Sequence, residues 1–159
     1  MKAVLILGVL LIAACGKEEP MVNASTSESS FDSLWNFDDP AGTEVKFRQL
    51  LPEARKSGDA GYEAELLTQI ARTQGLQQKL AEAHETLNQV DALLKPDMKR
   101  AKARSLLERG RVFNSSGKAA DSVPIFKEAL RVAQEAGLEN YAIDAAHMLG
   151  IAAKGKESL

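Results

Sequence analysis

The stretch Ala103–Gln134, ARSLLERGRVFNSSGKAADSVPIFKEALRVAQ, decides the fold of this 159-residue chain. Leu106, Gly110 and Phe113 recur at three- and four-residue steps, the spacing of one face of an α-helix. Ser115-Ser116-Gly117 interrupts that pattern with turn residues. Ser122, Phe126 and Ala129 then restart the same spacing. Two such helices joined by a tight turn form an antiparallel hairpin. No stretch of the chain alternates like a strand, so the sequence predicts an all-α protein.

Working outward, each helix has its own start and stop. Thr43 is expected as an N-cap with Glu44 in the first turn. Val45, Phe47, Leu50, Leu51 and Ala54 follow, up to Ser57-Gly58. Pro52 inside that segment implies a late start or a kink. Asp59 or Gly61 opens a second helix carrying Leu66, Leu67, Ile70 and Ala71, which ends before Gly75. Lys79–Leu94 follows, closed by Lys95-Pro96. Asp97 is expected to cap Met98–Asn114. Lys118–Ala136 ends at Gly137, a glycine suited to a C-terminal cap. A last helix begins at Leu138 or Glu139 and ends near Lys154-Gly155.

These helices are self-similar. Ala71, Gly110 and Gly150 recur at intervals of 39 and 40 residues. Ala83 with Ser122, Leu87 with Phe126, and Val90 with Ala129 each repeat at 39. Small residues let paired helices approach, and the large ones fill the layer to the next pair.

In its large, small, aromatic and turn-glycine positions, Ala103–Gln134 resembles the tetratricopeptide repeat. Ser122 stands where the family has Ala, and Arg109 replaces an apolar residue. Repeats are expected at about 59–94 and 98–137, with a half repeat at 138–154, in a helical domain spanning 43–159. The first copy has Gln74 and Gln78 where an aromatic and a glycine belong. The period exceeds the family's roughly 34 residues. A non-repetitive helical bundle is the alternative. Met98, Phe113, Phe126 and Met148 read as core either way.

The resemblance implies a short α-solenoid whose first helices line a concave groove for extended peptides. It places Glu65, Thr68 and Arg72 beside Arg104, Arg111 and Asn114, with Asp144 and His147 following. Arg72 and Arg111 lie 39 residues apart, so two planar donor forks are expected to clamp a carboxylate, such as a peptide C-terminus. Asn114 is expected to hold the peptide backbone. The alternative is ordinary surface charge paired with Glu65 and Asp144. The cluster Lys95, Lys99, Arg100, Lys102, Arg104, Arg109 and Arg111 reads as a solvated face, or as a contact for anionic lipid or an acidic partner.

At the other end, Lys2 precedes an apolar run, Ala3–Ala14, and then the single cysteine of the chain. A charged start, a short apolar stretch and small residues form a bacterial export signal. The run is too short to span a bilayer as a helix, which takes about 20 residues. Ile12-Ala13-Ala14-Cys15 resembles the lipobox of bacterial lipoproteins. That resemblance implies removal of residues 1–14, acylation of Cys15 (palmitate among the acyl groups) and anchoring to a membrane. Gly16 after Cys15 implies an outer membrane, facing the periplasm, where the source has one. The alternative is an ordinary secretory signal with Cys15 incidental.

Residues 15–42 read as the acylated cysteine plus an acidic linker, with one base against six acids from Gly16 to Thr43. Its Ser/Glu/Asn-rich part, Gly16–Ser30, is expected to be disordered. Phe31, Trp35 and Phe37 place three of eight aromatics in seven residues. They form either a strap against the first helices or an exposed partner-binding motif.

The remaining composition excludes several classes. The body carries 18 bases against 16 acids, without the concentrated basic face that nucleic-acid binding needs. His84 and His147 lie in no metal-ligand spacing, and no glycine-rich phosphate loop follows the leader. Glu82 and Glu85 read as solvated charge. No enzyme, cofactor or metal is expected. The expected function is a membrane-anchored lipoprotein of the cell envelope whose repeats bind another protein, of unknown identity. The alternatives are self-association, as a homodimer through the last helix (Leu138–Ala153), or a helical ligand-binding or enzymatic domain.

Overall fold

The computed structural model describes residues 31–157, of which six α-helices make up most. The leader 1–14, Cys15 and the linker to residue 30 lie outside the described residues. The helices are α1 (Pro40–Ser57), α2 (Ala60–Leu76), α3 (Leu80–Leu93), α4 (Lys99–Ser115), α5 (Ala119–Glu135) and α6 (Glu139–Glu157). The fold is all-α and solenoid-like. Ala60, Lys99 and Glu139 begin α2, α4 and α6 at steps of 39 and 40 residues.

Each helix packs on the next, and α4 also packs on α2 and on α6. The backbones of α1, α3 and α5 do not approach one another. Two layers result: α2, α4 and α6 form a continuous inner layer, and the other three stand apart behind it. The layer in contact is the shorter path, so the array bends toward α2, α4 and α6. Around α2 this burial is complete on every side, and all residues from Ala64 to Ala71 are buried.

The turns show why the chain reverses where it does. Gly58, Gly117 and Gly137 have φ of 75°, 76° and 66°, the left-handed region where a Cβ is penalised. Gln78 adopts the same conformation at φ 61° in the turn between α2 and α3. It therefore fills the geometric role of the glycine missing from the first repeat.

Two helix starts differ from expectation. Asp39, not Thr43, caps α1: its carboxylate accepts the Gly42 N–H at 2.9 Å. Pro40 takes the first helical position, where its missing N–H costs nothing. Thr43 is buried one turn later, its hydroxyl donating to the Asn36 carbonyl at 3.2 Å. Asp97 does not cap α4 with its side chain either; Met98 is the N-cap, and the Asp97 carbonyl accepts from the Lys99 N–H at 2.8 Å. α1 continues through the exposed Pro52, which leaves the Arg48 carbonyl without its helical donor.

The core is apolar but carries satisfied polar groups. Phe31 is buried against Phe47 and Tyr62, with ring centroids 6.0 and 5.3 Å away. Phe126, Leu107, Ala129 and Ala145 form the core of the second hairpin and α6. Burying a side chain of the size of Phe126 contributes about 2–3 kcal/mol. Gln74 takes the place of an aromatic and is buried, its amide oxygen accepting from the Thr86 hydroxyl at 2.8 Å. A hydrogen-bonded pair thus replaces a ring, which keeps the desolvation of the amide compensated.

Candidate functional site

The inner layer and the aromatic strap enclose a cleft of about 290 Å³. Asp32, Trp35 and Phe37 line it from the strap, and Arg72 from α2. Arg104, Leu107, Glu108 and Arg111 line it from α4, and Tyr141 and Asp144 from α6. Helical geometry explains the α4 set, because residues 104, 108 and 111 are three or four apart and share one face.

The charges in this cleft are unevenly compensated. Arg111 donates to Glu108 at 2.6 Å and to both Asp144 oxygens at 2.6 and 2.5 Å. Burial opposes its charge, but the two carboxylates outweigh that and raise its pKa above the ordinary arginine value. Arg72 reaches only Glu108, at 3.7 Å. Its pKa is lowered, chiefly by burial, with Arg111 and Arg104 adding repulsion and Glu108 and Asp144 offsetting part of it.

Arg104 makes no ion pair with a described carboxylate. It donates to the Gln69 amide oxygen at 2.9 Å and to the Tyr141 hydroxyl at 3.2 Å. Its guanidinium carbon lies 5.8 Å from the centre of the Tyr141 ring. Its Nε is buried without a hydrogen-bond partner among the described residues. Gln69 also accepts from the Trp35 indole N–H at 2.8 Å, so one amide oxygen joins the strap to α4. Phe37 stacks on Trp35 with centroids 4.8 Å apart, and remains 68 % exposed.

The structure brings together Arg72, Arg104, Arg111 and Asp144 from the expected groove. The two guanidiniums expected to clamp an external carboxylate instead converge on the chain's own Glu108. Thr68 does not line the cleft: it is fully buried, and its hydroxyl donates to the Glu65 carbonyl at 2.6 Å. Thr68 lies in the stretch of α2 that is buried all round, with α1, α3 and α4 packed on that helix. Asn114 and His147 are also absent from the cleft wall; His147 is exposed on α6. Glu65 pairs with Arg100 at 2.8 Å rather than with Arg72.

The basic cluster is not one solvated face. Arg100 and Arg109 pair with Glu65 and Asp91 on neighbouring helices, at 2.8 and 2.9 Å, and Arg111 with Asp144. The lysines at 95 and 99 stay exposed. Sequence reasoning missed Glu108, Gln69 and Tyr141 as parts of the site, and named Trp35 only in the aromatic strap, apart from the arginine groove. Glu108 was legible in the spacing Arg104, Glu108, Arg111, which puts an acid between two bases on one helical stripe. Tyr141 carried no such signal, and the aromatic cluster that marks Trp35 did not say that it meets the arginines, since both arrive from elements outside the hairpin.

Among the described residues, no group of three His, Cys, Asp or Glu side chains is placed to hold a metal. No helix among them is long and apolar enough to cross a membrane. No family model, no curated protein and no solved structure matches this chain.

Proposed function

We propose that this chain is a lipid-anchored protein of the cell envelope that holds another protein by a segment laid in the inner cleft. The anchor rests on the leader and on Ile12-Ala13-Ala14-Cys15. The binding role rests on Arg104: a partly buried guanidinium whose hydrogen-bond acceptors are neutral, beside Arg72 with its single distant counter-charge. Two incompletely compensated arginines next to Trp35, Phe37 and Tyr141 suit a segment that offers a carboxylate beside an aromatic or apolar side chain. Guanidiniums favour carboxylates through paired donors, and stacked aromatics supply rigid apolar area.

Trp35 is the sole tryptophan, so its emission reports the cleft directly. Titration with short Phe-terminated peptides is expected to shift that emission when the C-terminus is a free carboxylate, and about tenfold less tightly when it is amidated. Arg104→Ala is expected to remove the difference. Equal response to both peptides rejects the carboxylate reading. Mass spectrometry of the mature amino terminus tests the anchor, since an unacylated Cys15 rejects it.

A further inference from the structure

The inner helices share one register, and its last copy is left bare. Ala64, Thr68 and Ala71 on α2 are each 0 % exposed. Their equivalents on α4, Ala103, Leu107 and Gly110, are buried too. On α6 the same register gives Ile143, His147 and Gly150. Ile143 is 69 % exposed, His147 is exposed, and a Cβ at Gly150 would meet nothing within 4 Å. Ile151, 41 % exposed, continues the stripe one position past Gly150. The opposite face of α6 is already engaged: Tyr141, Ala145 and Ala152 are buried in the second core.

We propose that this face of α6 docks a second copy of the chain, the two α6 helices running antiparallel about a twofold axis near His147. The sequence of α6 is complementary to itself in that orientation only. Ile143 and Ile151 each stand four residues from His147, so each isoleucine meets the other kind on the partner copy. Ala146 and Gly150 lie between them and admit close backbone approach. Glu139 in the first turn and Lys154 near the end are opposite charges at nearly equal distances from His147. Antiparallel pairing brings each near the other, with the helix dipoles also opposed favourably. A twofold contact is the commonest closed arrangement, and it leaves no open edge to propagate. The inner cleft takes no part in it.

The test is sedimentation velocity of the full chain in mild detergent with reductant, from about 1 to 100 µM. A monomer–dimer equilibrium is expected. Ile143→Glu is expected to weaken it at least about tenfold, and both isoleucines are exposed enough for the fold to persist, as circular dichroism would show. Combining Ile143→Glu with Ile151→Lys in one chain places opposite charges across the axis twice, and association is expected to return. A wild-type chain that stays monomeric at about 100 µM overturns the proposal. So does a dimer indifferent to Ile143→Glu, or a folded double variant that remains monomeric.

Discussion

Gly110 lies directly beneath the ring of Phe126: a Cβ added to the glycine would sit 2.4 Å from the ring edge. The small residue in this register therefore makes room for a large one on the paired helix, rather than meeting another small one. Gly110→Ala is expected to destabilise the fold by about 1–3 kcal/mol, since Phe126 is fully buried and has nowhere to move. Gly150, in the same register on α6, has open space, and Gly150→Ala is expected to stabilise by about 0.5–1 kcal/mol through helix propensity. Urea denaturation of both variants, at dilutions that exclude association, checks the opposite signs.

Glu108 neutralises Arg111 and partly neutralises Arg72. Glu108→Gln is expected to cost about 1–3 kcal/mol, because it leaves partly buried guanidiniums short of a counter-charge. The same change is expected to tighten binding of the free-carboxylate peptides. Loss of stability without a gain in anion affinity would show that Glu108 does not compete for the site.

Gln78 holds a left-handed backbone in a turn whose counterparts are glycines. Gln78→Gly is expected to raise stability by about 0.5–1 kcal/mol by removing that strain, offset in part by added chain entropy. Gly117→Ala is expected to move stability the other way by a similar amount. Thermal unfolding of the two variants tests the equivalence of the turns.

Glu44 on α1 is bonded to Gln77, next to the α2–α3 turn, and makes that contact sensitive to acid. Burial alone would raise its pKa, but hydrogen bonds from Gln77 and Arg48 and the charges of Arg48 and Lys79 hold it below the ordinary 4.5. A depressed carboxylate stabilises the fold above about pH 4.5, and that contribution is lost as pH falls through the folded-state value. Glu44→Gln is expected to cost about 0.5–1.5 kcal/mol at pH 7, and the gap from wild type is expected to close on acidification. A gap independent of pH would assign the effect to shape rather than charge.

The helices, the turns and the 39- to 40-residue step were legible because apolar spacing and turn glycines fix them locally. The start of α1 was not, since Asp39 and Thr43 are both capable caps and only the Pro40 position separates them. The groove was legible at Arg72, Arg104 and Arg111 but misplaced at Thr68. A helix pattern shows which residues share a stripe, but not that Thr68 sits where other helices bury α2 on every side. The partners of Arg100 and Arg109 escaped for the same reason, since their acids lie on other helices, whereas the Arg111–Asp144 pair matches the alternative reading of the groove as paired charge.

The shared register also bears on how such a chain can change over generations. The described array opens on an outer-layer helix and closes on an inner-layer one, and its turns are left-handed except the extended one at Leu94 between α3 and α4. A gene segment duplicated in whole steps of 39 or 40 codons would add a hairpin without creating any new type of contact. A duplication of any other length would put polar stripes against the core. Lengthening by duplication is therefore a small mutational step for this architecture, and gradual lengthening is a large one.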